Sequence, residues 1–291
     1  MPPLFRPVAR ATFIVALILL ILMLAVPTPV GFASSARGAR RLRDAPLALL
    51  SPAAAEYVAS REGTVGVAVV VPRRAAIFST RDNAPLYLAS VAKVPIMLTL
   101  MSQAADEGRP LSDSTATDLW AMISLSDNDA ADRLWGAVSG AEGVRAYLRS
   151  VGVDDIEPDA EGYWGASTAT PRAMALLLAK LLQGDALDPE GQVRAMNLMG
   201  NIEALDQRWG VSAGLPTELP AGASSGLKDG WYWGDDGWWV NSVGYVVPPN
   251  GGRYSLAILT NGQPSFAYGV ETVETVARLI HMELSGMPVD P

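Results

Sequence analysis

The order of residue types along the chain limits the fold more than any single motif does. Apolar, β-branched runs stand at the two ends: Thr64–Val71 and Ala75–Ser79 early, then Gly226–Trp233, Trp238–Val247 and Arg253–Thr260 late. Runs of that length and composition read as strands. Between them the pattern turns helical, over about Tyr87–Leu100, Thr115–Ile123, Asp129–Val138, Ala141–Ser150, Pro171–Gln183 and Pro189–Met199. An alanine-rich helix over Pro46–Arg61 and a last helix over Tyr268–Leu284 flank the strands. The expected fold is α+β, in three layers. An antiparallel sheet of about five strands, drawn from about 44–80 and 215–291, is flanked by the N- and C-terminal helices. A helical domain, about 81–214, is inserted between the two sets of strands.

Ahead of this lies a different segment. Arg6 and Arg10 precede an apolar run from Ala11 to Val26, followed by Pro27, Pro29 and the small residues Ala33–Ala36. Residues 1–36 read as an export signal or, uncleaved, as an N-terminal membrane anchor. Residues 37–291 are then one extracytoplasmic domain, secreted or held at the membrane through residues 11–26.

Composition removes several chemistries. The chain has no cysteine, so a thiolate nucleophile, a disulfide and a cysteine-ligated zinc are all excluded. His281 is its one histidine and reads as a helix-surface residue, so neither a His-rich metal site nor a Ser-His-Asp triad is expected. No metal and no cofactor is expected. The net charge of −8 argues against nucleic acid or an anionic membrane surface as partner. A small-molecule substrate and a monomeric state are expected, with the membrane touched through the N-terminal segment only. Among 22 basic residues three are lysines, Lys93, Lys180 and Lys228. Lysine can give up its proton when buried or beside another cation, and arginine cannot. Lys180 reads as a solvated helix position. Lys93 stands three residues after Ser90, at the entry of an apolar helix, where the hydroxyl and the amine share one face. The first turn of a helix also presents free N–H groups to developing negative charge.

Two more segments follow in order, Ser126-Asp127-Asn128 and Lys228-Asp229-Gly230. Taken singly, the first is a helix cap and the second a charged strand position with a bulge-forming glycine. Taken with Ser90-x-x-Lys93, they resemble the motifs of the penicillin-recognising serine enzymes, the class A β-lactamases and D-alanyl-D-alanine peptidases. The likeness covers most of residues 45–285. It implies a Ser90 nucleophile forming an acyl-enzyme, Lys93 as its base, Ser126 as proton relay to the leaving nitrogen, and Lys228 keeping the field positive. It implies Asn128, Asp229, Gly230 and Trp231 as substrate-binding positions, with the Ser90 and Trp231 N–H groups facing the oxyanion. Two departures stand out. The family has Ser or Thr where this chain has Asp229, whose ionised carboxylate would repel a substrate carboxylate. Class A enzymes carry a deacylating glutamate with an asparagine four residues on; here Glu157 has Glu161 at that place. Glu157 is the candidate deacylation base; otherwise it is a charge on a solvated loop. The activity expected is hydrolysis of a β-lactam or related amide. The alternatives are a D-alanyl-D-alanine carboxypeptidase or esterase, and a non-catalytic binder of peptidoglycan or a protein. The cluster Trp231, Tyr232, Trp233, Trp238 and Trp239 reads either as cross-strand packing or as a stacking surface for sugars.

Overall fold

The computed structural model describes residues 47–49, 52–72, 76–80, 85–249 and 252–285. The signal or anchor read in residues 1–36 lies outside them. Among the described residues no helix is long and apolar enough to cross a membrane.

The described residues belong to one compact unit. Strand β1 (Leu47–Leu49) opens it, where a helix was expected, and helix α1 follows at Pro52–Ser60. Strands β2 (Thr64–Val71) and β3 (Ala76–Thr80) pair antiparallel, and the valine-rich, almost wholly buried β2 is the kind of β-branched run that favours a strand. The late strands are β7 (Ser224–Gly234), β8 (Gly237–Val247) and β9 (Tyr254–Asn261). The sheet order is β1-β3-β2-β9-β8-β7. It has six strands, one more than the sequence suggested, because β1 joins β3 in parallel through three residue pairs. A three-residue strand leaves too little periodicity to be seen in the sequence. The two ends of the chain meet at β2 and β9, where Thr64 pairs with Asn261 and Val70 with Ser255.

The middle of the chain is helical, as expected. A 3₁₀ turn at Ala89–Ala92 leads straight into α2 (Lys93–Asp106). Then come α3 (Asp113–Ser124), α4 (Asn128–Ala137), α5 (Gly140–Ser150), α6 (Pro171–Gln183) and α7 (Pro189–Gly200). Side-chain caps start four of these. Ser112, Asp127, Thr170 and Asp188 each accept a backbone N–H from the first turn, the usual solution for its unpaired donors. Helix α2 is buried along its first nine residues, Lys93 to Met101, and forms the axis of the helical part. A small second sheet, β4 (Leu86–Tyr87), β6 (Thr168–Ala169) and β5 (Ile156–Glu157), ties the entry of α2 to the 152–170 loop. Helix α8 (Phe266–Ser285) closes the chain against β8.

Two sequence expectations fail on burial. Lys180 is 4% exposed, not solvated, because α6 packs on β9 and β2 and is apolar on nearly every side. His281 is also buried. One ring nitrogen meets the Tyr254 hydroxyl at 2.6 Å and the other the Val211 carbonyl at 2.7 Å. A carbonyl only accepts, so Nε2 carries the proton and Nδ1 accepts from Tyr254. Burial holds the His281 pKa below its usual value, against the pull of the Val211 carbonyl. This histidine fastens α8 to β9 and to the 3₁₀ turn Gly210–Ser212.

Candidate active site

Three elements deliver the candidate residues to one place. The 3₁₀ turn before α2 carries Ser90, and the first residue of α2 is Lys93. The corner between α3 and α4 carries Ser126, Asp127 and Asn128. Strand β7, at the sheet edge, carries Lys228, Asp229 and Gly230.

Their meeting point is the Ser126 hydroxyl. Its oxygen accepts from Lys93 Nζ at 3.1 Å and from Lys228 Nζ at 2.9 Å. Lys93 also donates to the Ser126 carbonyl at 2.6 Å and to Asn128 Oδ1 at 2.8 Å, which uses all three N–H bonds of an ammonium. Lys228 donates further to the Asp229 carbonyl at 3.0 Å and to Gln207 Oε1 at 3.3 Å. Both lysines are shut from solvent, at 0% and 1% exposure. Burial, helped by the Lys228 charge and opposed by Asp127 and Asp132, brings Lys93 down to about 7. Burial brings Lys228 down to about 8, against Asp229 and Asp206. Two cations sharing one oxygen in a buried space cannot both keep their protons cheaply, so one amine is available near neutral pH.

The backbone around this cluster is strained where it bears function. Ala89, the residue before Ser90, has φ 48° and Ser126 has φ 57°, both in the left-handed region that non-glycine residues avoid. Strand β7 approaches the 3₁₀ turn so closely that a Cβ on Gly230 would lie 2.7 Å from the Ser90 and Val91 nitrogens. Only glycine fits there. The approach is held from β8, where buried Asn241 donates to the Tyr87 and Leu88 carbonyls at 2.8 and 3.2 Å. Its Oδ1 accepts the Thr260 N–H at 2.8 Å. Sequence reading passed over Asn241 and Gln207. A polar residue inside the apolar run of β8 was the available signal for Asn241; Gln207, in a short 3₁₀ turn, left none.

Two residues are not brought into this cluster. Glu157, in β5, turns its carboxylate outward, 63% exposed, and pairs it with Arg145 of α5. Asp229 is 0% exposed, because its side chain leaves β7 on the side of Ser242 and lies under Gly210. Neither carboxylate oxygen has a hydrogen-bond partner of ordinary geometry. Burial pushes this carboxyl well above the usual range, although the Ser242 hydroxyl, the Lys228 charge and the Trp209 N–H pull it down. The expected repulsion of a substrate by an exposed Asp229 therefore does not arise. Trp231 packs with Phe266 and Trp209, ring centres 5.3 and 6.1 Å apart, and Trp238 lies 5.7 Å from Phe266. Trp239 is stacked on Tyr87 at 4.2 Å and lies against Tyr232 at 5.2 Å. Packing accounts for most of the aromatic cluster, with Tyr232 and Trp233 left exposed.

The beta-lactamase enzyme family profile matches residues 115–284, more than half of the chain. The chain belongs to the β-lactamase enzyme family. Its fold is that of class A β-lactamases. A reconstructed ancestral class A β-lactamase of Gram-negative bacteria superposes with a TM-score of 0.67 at 25% identity, over 80% of this chain and 99% of that one. A β-lactamase from Sphaerobacter thermophilus shares the fold with a TM-score of 0.70 at 22% identity, over 81% and 98% of the two chains. In sequence, β-lactamase CARB-3 of Pseudomonas aeruginosa is 41% identical over 111 residues, 35% of this chain and 36% of CARB-3. The match thus spans about a third of the length of that relative. LppW of Mycobacterium tuberculosis is 26% identical over 70% of this chain and 65% of its own. As a member of this family the chain is related to serine hydrolases of small β-lactam substrates.

Proposed function

We propose that this chain is an exported serine hydrolase that forms an acyl-enzyme on Ser90 with a β-lactam or a related amide. The observation that carries the reading is the buried Lys93–Ser126–Lys228 chain of hydrogen bonds, beside the helix entry that bears Ser90. A neutral Lys93 keeps two N–H bonds and frees a lone pair, and Ser90 stands one turn back on the same face. The Ser90 oxygen bonds to the carbonyl carbon while its proton passes to Lys93. Ser126 hands its own proton to the leaving nitrogen and is refilled from Lys93. Lys228 holds a positive field over the Ser126 oxygen throughout. The oxyanion falls to the Ser90 and Trp231 N–H groups, which the Gly230 approach draws together. Asn128 keeps an amide N–H₂ for the substrate while its oxygen holds Lys93.

A second reading draws on position 229. The cleft has no hydroxyl there for a substrate carboxylate, which favours an ester or a peptide amide over a penicillin. An esterase fits that observation, whereas a D-alanyl-D-alanine carboxypeptidase, whose substrate ends in a carboxylate as a penicillin does, gains nothing from it. The deciding experiment incubates the purified protein and its Ser90→Ala variant with a fluorescent penicillin, a chromogenic cephalosporin and a fluorophosphonate. Ser90-dependent adducts in the intact mass, with at least one cephalosporin opened per chain, are expected. Labelling by the fluorophosphonate alone moves the assignment to the esterase or peptidase reading. No labelling of Ser90 by any probe leaves the chain as a non-catalytic binder.

A further inference from the structure

Hydrolysis of an acyl-enzyme needs a water whose oxygen bonds to the acyl carbon. A base takes the water's proton, and the serine oxygen leaves with a proton of its own. The 152–170 loop, where the family resemblance looks for that base, brings no carboxylate to Lys93. Glu157 is spent on Arg145, and Asp159 Oδ2 accepts the Tyr163 N–H at 2.8 Å. What the loop lays on Lys93 is an indole: Nζ sits 4.8 Å from the centre of the Trp164 ring. The ring is fixed by its Nε1–H, which donates to Asp132 Oδ1 of α4 at 2.6 Å. The short 3₁₀ turn Trp164–Ala166 packs on the Ser90 turn, with Gly165 beside the Ala89 Cα. The Leu88 N–H to Ser167 carbonyl bond, 2.9 Å, fastens the two together.

A stable water needs two to four polar partners. On this side of Lys93 the loop supplies none. Lys93, left as a neutral amine by acylation, spends its N–H bonds on Ser126 and Asn128, and the one N–H of the indole goes to Asp132. The ring face offers no acceptor of useful strength, and it favours a cation over a water beside it.

We propose that Trp164, positioned by Asp132, shields the Lys93 side of the acyl-enzyme from water, so that the Ser90 adduct of this chain is long-lived. The inference rests on the Ser90 acyl-enzyme reading above and concerns how that intermediate ends. Trp164 is a positioning residue that acts on access, and its signature is a split between the two half-reactions.

The test follows acylation and loss of the adduct separately by intact mass. The full chain is acylated with benzylpenicillin or, where that leaves no mark, with p-nitrophenyl acetate, and freed of excess reagent. Trp164→Ala is expected to acylate within about twofold of wild type and to lose its adduct at least about tenfold faster. Trp164→Glu puts a carboxylate where the indole was and is expected to speed loss by about 100-fold or more, the usual contribution of a general base. Trp164→Phe, which keeps an apolar cover, is expected to stay near wild type. If Trp164→Ala does not fold, Trp164→Gln carries the same expectation. A Ser90 adduct that leaves wild type and the Trp164 variants at one rate overturns this inference alone. So does a variant that slows or speeds both half-reactions together, as a merely structural residue would. The absence of any Ser90 adduct overturns the acyl-enzyme reading, and this inference with it.

Discussion

Lys93 and Asp229 are both buried titratable groups, and they change charge with pH in opposite senses. Lys93, drawn down to about 7, is an ammonium below that pH and an amine above it. Ser90 labelling by a fluorophosphonate is therefore expected to rise with pH through about 7 and then level off. A rate flat from pH 5 to 9 would remove Lys93 from the base role. Asp229 is raised in the folded state, so the folded chain holds a proton that the unfolded chain has lost. The stability it gives is present below the ordinary carboxylate value of about 3.9 and is lost as pH rises toward its folded value. Asp229→Asn is expected to lessen the fall in Tm between pH 5 and 8, and equal slopes in the two proteins would contradict it. Gly230→Ala is expected to suppress Ser90 labelling and to cost about 1–3 kcal/mol by overpacking, measured by denaturant unfolding. At this scale the motif residues were legible because lysine is scarce and cysteine absent, which left Ser90, Lys93, Ser126 and Lys228 with few competitors. Burial was not legible. Asp229, Lys180 and His281 look polar and solvated in sequence, and only their partners in space show otherwise.

Among elements, α3 to α8 came through from sequence with ends no more than two residues out, since caps such as Ser112 and Thr170 mark them chemically, while α1 starts six residues late and α2 is shifted by six residues at each end. Strand β1 did not, being too short to carry a pattern. The small sheet of β4, β6 and β5 was equally hidden, for each strand has two residues. Its role explains why the 152–170 loop has no periodicity of its own: the loop is held by pairing to the entry of α2 and by Trp164 on α4. Asn241 does the corresponding work from β8. Asn241→Leu removes the donor to the Tyr87 and Leu88 carbonyls and the acceptor of the Thr260 N–H. A loss of about 2–4 kcal/mol and slower Ser90 labelling are expected, checked by urea unfolding and by label uptake. A variant of unchanged stability would show that the 3₁₀ turn is held elsewhere. His281→Leu is the matching change for α8, with an expected loss of about 1–3 kcal/mol in the same assay.

For the molecule as a whole, the candidate site lies on the seam between the sheet and the helical part, with Lys228 from one and Lys93 and Ser126 from the other. Both parts draw on one continuous apolar core, from Val67 and Leu256 in the sheet to Met97 and Met122 in the helices. The two parts are therefore expected to unfold together. Tryptophan fluorescence from the Trp231–Trp238–Phe266 group and far-UV circular dichroism should lose signal at one urea midpoint. Separate midpoints would show that the helical part melts alone. The pairing of β2 with β9 has a further consequence for how such a chain comes into being. Thr64 finds its partner only at Asn261, and β7 and β8 have no place in the sheet until β9 arrives. A growing chain cannot close its sheet by local steps, so the native sheet waits for β9, and folding is expected to be slow for a domain of this size. Until then Lys228, carried on β7, has no fixed place beside Lys93 and Ser126, and the buried cluster they form stays unassembled.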